Sequence, residues 1–101
     1  MAHNKKLHIR IDEAEAIEQG KYENIFGILG LHEVAPQTWE VRNFLPFAEK
    51  LEILDYQTQA LLAESSRIGV TGVFCARFTA EKPQAYLLKA WYNGEAVLII
   101  G

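Results

Sequence analysis

The sequence predicts a mainly β protein, a β-sandwich preceded by one short N-terminal helix, and three observations lead there. Apolar and polar residues alternate with period two in several short runs between Trp39 and Ile100. Turn signals recur about every ten residues, the clearest being Asn93-Gly94. One stretch only, residues 12–19, is acidic, Ala-rich and closed by a glycine, as a helix would be.

Taken in order, Leu7, Ile9 and Ile11 alternate with His8 and Arg10, the pattern of a short extended segment. Asp12 followed by Glu15 forms a capping-box spacing, in which one carboxylate takes an early free N–H and the other reaches back. The predicted helix covers residues 13–19, with Gly20 as its stop. From Ile25 onward the pattern becomes short strands. In residues 39–45, Trp39, Val41 and Asn43 alternate with Glu40, Arg42 and Phe44 until Pro46 ends the run. Leu51 and Ile53 alternate with Lys50, Glu52 and Leu54. Residues 60–63 are a weaker strand, since propensity favours a helix there. Residues 72–78 put Phe74, Ala76 and Phe78 on one face. Tyr86, Leu88, Ala90 and Tyr92 share one side of the next strand, and Trp91 stands opposite, beside Lys89. Asn93-Gly94 supplies the two positive-φ residues of a type I′ hairpin, and residues 96–100 return. The count is five or six strands, with no repeat, low-complexity segment or Gly/Ser linker.

Composition bounds the function. A chain of 101 residues, 50% hydrophobic and 11% aromatic, suffices for one compact domain and not for two. The reading is an extension over residues 1–11 and a single module over 12–101. Net charge is −3, from 13 acidic against 10 basic residues, and the densest basic run is Lys5-Lys6. That balance argues against a nucleic-acid partner. A lone cysteine, Cys75, excludes an intrachain disulfide and suits a reducing compartment. No apolar run approaches the roughly 20 residues that span a bilayer, and the N-terminus lacks a signal-peptide pattern. A cytoplasmic location with no membrane partner is expected.

Most polar residues read as structural. His3, His8 and His32 show no metal spacing with one another or with Cys75, which reads as a small mid-strand hydrophobe. Ser65-Ser66 precedes Arg67 in a turn without the context of a nucleophile elbow, and Gly27-Ile28-Leu29-Gly30 lacks the Lys and Ser/Thr of a phosphate loop. Glu13, Glu15 and Glu18 fit the polar side of a helix, and Glu40, Glu52 and Asp55 fit the wet face of strands, so no acid pair for glycoside chemistry emerges. Aromatics are the better lead. Sugar rings lay apolar C–H faces on flat side chains, which makes Trp91, Trp39 and Tyr92 candidate carbohydrate contacts, with either Trp91 or Tyr92 facing outward. Residues 96–100 form an unbroken apolar strand wanting cover on both sides. Leu98, Ile99 and Ile100 are therefore candidate docking residues, and self-association of the chain is expected.

Segment 17–33, with Gly20, Asn24-Ile25-Phe26 and Leu29-Gly30-Leu31-His32, resembles the opening of bacterial glycogen branching enzymes. Trp39-Glu40-Val41-Arg42-Asn43-Phe44-Leu45-Pro46-Phe47-Ala48 is similar to that family's next strand, and Gly72-Val73-Phe74 and Tyr86-Leu87-Leu88 to later ones. Two features depart from the pattern. Asn24-Ile25-Phe26 stands where the family has Asp-Pro-Phe, and the chain stops about where an Asp-Pro-Tyr-Arg-Phe-like element would follow. The resemblance implies an immunoglobulin-like sandwich related to carbohydrate-binding modules, the first N-terminal module of a longer multidomain enzyme. Family catalysis, which cleaves an α-1,4-glucan and rejoins it through an α-1,6 linkage, resides in a later barrel. This module is then expected to be non-catalytic, to position α-glucan or the following domains, and to influence transferred chain length. Neither a metal nor an organic cofactor is implied. The alternatives are a docking sandwich without glucan binding and an unrelated free-standing interaction domain.

Overall fold

The computed structural model describes residues 9–21 and 25–100, with Phe26 described by its backbone alone. Two short helices, α1 (Ile11–Glu18) and α2 (Ile25–Ile28), precede eight strands. These are β1 (Gly30–Ala35), β2 (Thr38–Phe44), β3 (Lys50–Asp55), β4 (Leu61–Glu64), β5 (Ser66–Arg67), β6 (Val73–Thr79), β7 (Tyr86–Tyr92) and β8 (Glu95–Ile100). All pair antiparallel in two four-stranded sheets, ordered β1-β2-β6-β5 and β4-β3-β7-β8. The predicted β-sandwich is the observed fold.

Period-two alternation makes the core. Trp39, Val41, Phe74 and Ala76 point inward from the first sheet, to meet Leu51, Ile53, Leu88 and Ala90 from the second. Leu51 and Ile53 have no exposed surface, and burying each contributes roughly 1.5–3 kcal/mol. Asn93 (φ 53°) and Gly94 (φ 80°) turn β7 into β8, as the hairpin signal requires.

The outer face of the first sheet has a roof. Ala14 and Ile17 of α1, Ile28 of α2 and Ile9 pack onto Val73, Phe44 and Cys75. Polar pins hold this layer: Gly72 N–H donates to the Glu18 carboxylate, and the Arg42 guanidinium donates to the Ile28 carbonyl at 3.0 Å. Gly72 allows the β2–β3 connection to close against it, because a Cβ there would lie 2.3 Å from Cα of Pro46.

Several expectations are corrected. Helix α1 begins two residues early, capped at Arg10, whose N–H donates to the Glu13 carboxylate at 2.9 Å. Asp12 instead takes the Glu13 N–H and the Arg10 guanidinium. The extended reading of residues 7–11 holds at Arg10, whose backbone is extended, and fails at Ile11, which opens the helix; Leu7 and His8 lie outside the described residues, as do Lys5-Lys6 and His3. Residues 25–28 form a helical turn and not a strand. The weaker strand expected over residues 60–63 is present at 61–64, because pairing with β3 overrides helix propensity. Ser66 and Arg67 belong to a two-residue strand rather than a turn. Strands β1 and β5 raise the total beyond six.

Candidate functional site

The outer face of the second sheet has no such roof among the described residues. Register builds it row by row. Lys50 stands opposite Trp91, and Trp91 opposite Ala96; the next row is Glu52, Lys89 and Leu98. The third row runs Leu61, Leu54, Leu87 and Ile100 across all four strands. Leu54 and Leu87 are buried in the middle of that row, while Leu61 and Ile100 at its ends are 53% and 74% exposed. Strands β4 and β8 are the two edges of this sheet.

Trp91 is half-buried, and two ammonium groups sit on its ring, Lys50 Nζ at 4.8 Å and Lys89 Nζ at 5.0 Å from the centroid. Attraction to the ring quadrupole contributes about 0.5–1 kcal/mol per exposed cation. A sugar laid on this indole competes with both lysines. Lys50 also pairs with Glu52 at 3.6 Å.

The other predicted contacts lie elsewhere. Trp39 is a core residue, 8% exposed, and its indole N–H donates to the Ala80 carbonyl at 2.9 Å, so it offers no ring face to a sugar. Tyr92 lies on the inward row with Leu88 and Ala90, against the edge of the core. Ile99 is opposite Leu88 and packs inward, whereas Leu98 and Ile100 point out. The structure thus brings Trp91, Leu98 and Ile100 onto one face and leaves Trp39, Tyr92 and Ile99 on the other side of the sheet or in the core. Lys50 and Leu61 escaped the sequence reading because their neighbours follow from pairing register. The doublets Ile53-Leu54 and Leu87-Leu88 carry the signal for the apolar row, since adjacent apolar residues in a strand mark two apolar faces.

Glu40 overturns its assignment to a wet face. It is 1% exposed on the outer side of the first sheet, taking Arg42 Nε at 2.7 Å and Arg77 Nε at 2.8 Å. Burial pushes its carboxyl up, but hydrogen bonds from Arg77 and Arg42 outweigh that and hold it below the ordinary value. Beside it, burial and the Glu40 carboxylate push the Cys75 thiol up to about 12, so the sulfur stays protonated and unreactive. His32 donates from Nε2 to the Leu29 carbonyl at 3.0 Å. Among the described residues, no three His, Cys, Asp or Glu side chains gather as a metal site, and no helix is long and apolar enough to cross a membrane.

A cleft of about 780 Å³ opens where the β3–β4 turn meets the β6–β7 connection. Tyr56, Gln57, Thr79, Glu81, Lys82 and Gln84 contribute to its walls. Asp55 organises one wall: its carboxylate takes the N–H groups of Thr58 (2.8 Å) and Gln57 (3.0 Å), the Thr58 hydroxyl and the Gln84 amide. The Thr58 N–H and the Gln84 amide are the main reasons that its carboxyl lies below the ordinary value.

A family model described as the alpha-1,4-glucan branching enzyme GlgB N-terminal domain matches residues 10–100. The 1,4-alpha-glucan branching enzyme GlgB of Roseobacter denitrificans is 37% identical over 68 residues, 67% of this chain and 9% of that protein. GlgB of Pseudomonas fluorescens is 32% identical over 84 residues, 82% of this chain and 11% of its own length. GlgB of Burkholderia thailandensis is 30% identical over 82 residues, covering 80% and 10%. The chain therefore spans about a tenth of the length of these relatives. The fold is similar to part of the catalytic module of SpuA, a glycogen-degrading pneumococcal virulence factor. TM-score is 0.53 at 13% identity, over 89% of this chain and 14% of that one.

Proposed function

The chain belongs to the alpha-1,4-glucan branching enzyme N-terminal domain family, and from that premise we propose that it is a non-catalytic accessory module of a cytoplasmic glycogen branching enzyme. It positions α-glucan and the following domains of the same enzyme, and so influences the length of chain transferred. The observation that carries this reading is the bare face bearing Leu61, Leu98 and Ile100. Each large apolar side chain left fully in water forfeits roughly 1.5–3 kcal/mol, which a neighbouring domain recovers by covering it. The relatives hold about nine-tenths of their length outside the matched segment, and that is where the cover comes from.

The carboxylates support a module that makes and breaks no bond. Glycoside chemistry needs one acid with a raised pKa facing a second carboxylate. Here Glu40 lies between two arginines, and Glu40 and Asp55 are both shifted down. A docking role without glucan contact is the second reading, favoured by the two lysines that occupy the Trp91 ring.

Two measurements test the proposal. Purified chain incubated with amylose should leave iodine staining unchanged; branching lost on mutating one of its own carboxylates overturns the non-catalytic role. Added to a branching enzyme lacking its own N-terminal domain, the chain should bind and shift the product chain-length distribution, and Ile100→Lys should weaken both effects. No binding by wild type sinks the docking role.

A further inference from the structure

We propose that the cleft between the β3–β4 turn and the β6–β7 connection is an α-glucan subsite, with Tyr56 as stacking platform and Gln57, Gln84 and Lys82 as hydroxyl partners. The proposal rests on the accessory-module reading, and it moves the sugar contact away from Trp91.

Three observations carry it. The first is composition: a tyrosine, 49% exposed, lines the same concavity as two carboxamides, a lysine and a threonine. A sugar ring asks for that combination, an apolar surface for its C–H face and planar or charged groups for its hydroxyls. At about 780 Å³ the cleft falls within the roughly 300–1,000 Å³ of small-ligand sites, room for a short oligosaccharide.

The second is preorganisation. The two rims are stitched together by Tyr56 N–H to the Ala85 carbonyl at 3.2 Å and by the Gln84 amide to Asp55. The start of the β6–β7 connection is anchored by the Trp39 indole on the Ala80 carbonyl and by Ala80 N–H on the Gln37 carbonyl, both at 2.9 Å. Binding then costs little loop ordering. With Gln84 held by Asp55 through one amide N–H, its remaining hydrogen-bonding capacity is oriented rather than free to rotate.

The third is the contrast with Trp91. Its ring carries Lys50 and Lys89 within 5.0 Å, and a sugar must displace them. No cation lies over Tyr56 among the described ring contacts.

Titrating the 101-residue chain with maltoheptaose under 1H–15N NMR tests the assignment. Saturable shifts should fall on residues 55–57 and 79–85 and spare Lys89 and Trp91. Tyr56→Ala should weaken binding by about three- to tenfold, Tyr56→Phe should retain it, and Trp91→Ala should leave it unchanged. Gln84→Ala, its folding verified by the same spectra, should weaken it as well. Saturation at Trp91 and Lys89 with a silent cleft overturns this site and leaves the accessory-module reading standing. No saturable shift anywhere in the folded chain overturns the site and the glucan half of that reading together, leaving docking alone.

Discussion

The outer face of the first sheet lies under α1 and α2, whereas the outer face of the second lies open with Trp91, Leu98 and Ile100 on it. The two faces differ already in sequence: β2 alternates apolar and polar residues up to Phe44, whereas Ile53-Leu54, Leu87-Leu88 and the unbroken run 96–100 put apolar residues on both faces of the second sheet. On the first, helices supply Ala14, Ile17 and Ile28, and a carboxylate with two arginines fills the polar part of the seam. On the second, lysines cover an indole and nothing in the described chain covers the ends of the leucine row. A residue's side of the strand therefore does not decide its environment; what else reaches that side does.

Substitutions sharpen the contrast. The largest effect is expected at Glu40→Ala, which takes the carboxylate away from the buried Arg42 Nε while Arg42 keeps its bond to the Ile28 carbonyl, and should cost about 3–4 kcal/mol in urea unfolding. Its pH dependence has a definite sign. Because the folded carboxyl lies below its ordinary 4.5, the stabilisation is complete above that value and is lost as pH falls through the lowered one. Wild type should thus lose stability on acidification below about pH 4.5 more steeply than Glu40→Ala, which lacks this contribution and keeps only those of other carboxylates such as Asp55. Equal acid limbs for the two proteins would show that the cluster is not the source.

Next comes Gly72→Ala. Its new methyl meets the Pro46 backbone while its N–H must still reach Glu18, so a loss of about 2–3 kcal/mol is expected. Urea melts that coincide with wild type would mean that the roof tolerates movement at its anchor.

The open face should respond far less. Trp91→Ala removes two cation–π contacts and part of a half-buried ring, for about 1–2 kcal/mol. A loss as large as that of Glu40→Ala would erase the distinction between the faces. Smallest of all, Ile100→Lys should change stability by less than about 0.5 kcal/mol. Its effect belongs to association: we expect reversible self-association of wild type through the free β8 edge, weakened by the lysine. Sedimentation over a wide concentration range checks this, and a strictly monomeric wild type rules the sticky edge out.

How much of this was legible beforehand depends on the reach of each signal. The β7–β8 hairpin was readable because Asn93-Gly94 and its flanking alternation are local, and β2, β3 and β6 were readable for the same reason. Strand β4 was only weakly readable, since helix propensity competes there and its identity depends on pairing with β3 across a turn; β1, whose Gly30-Leu31-His32-Glu33 lacks clean alternation, was not. Of the candidate site, Trp91 and the outward Leu98 and Ile100 were legible from the strand period once one face was known to be core. Trp39 and Tyr92 were misplaced for that same reason: period two says which residues share a face and is silent on which face is dry.

By itself, the sequence determined the sandwich, the hairpin, the first of the two short helices and the grouping of residues on faces, because these follow from short-range periodicity and turn chemistry. Only the tertiary structure decided that Glu40 is buried between Arg42 and Arg77, that α1 closes over Val73, and that Tyr56 and Gln84 share a cleft. Each of these joins residues far apart in the chain. Their meeting depends on how two sheets and a helical layer stack, which no local pattern encodes.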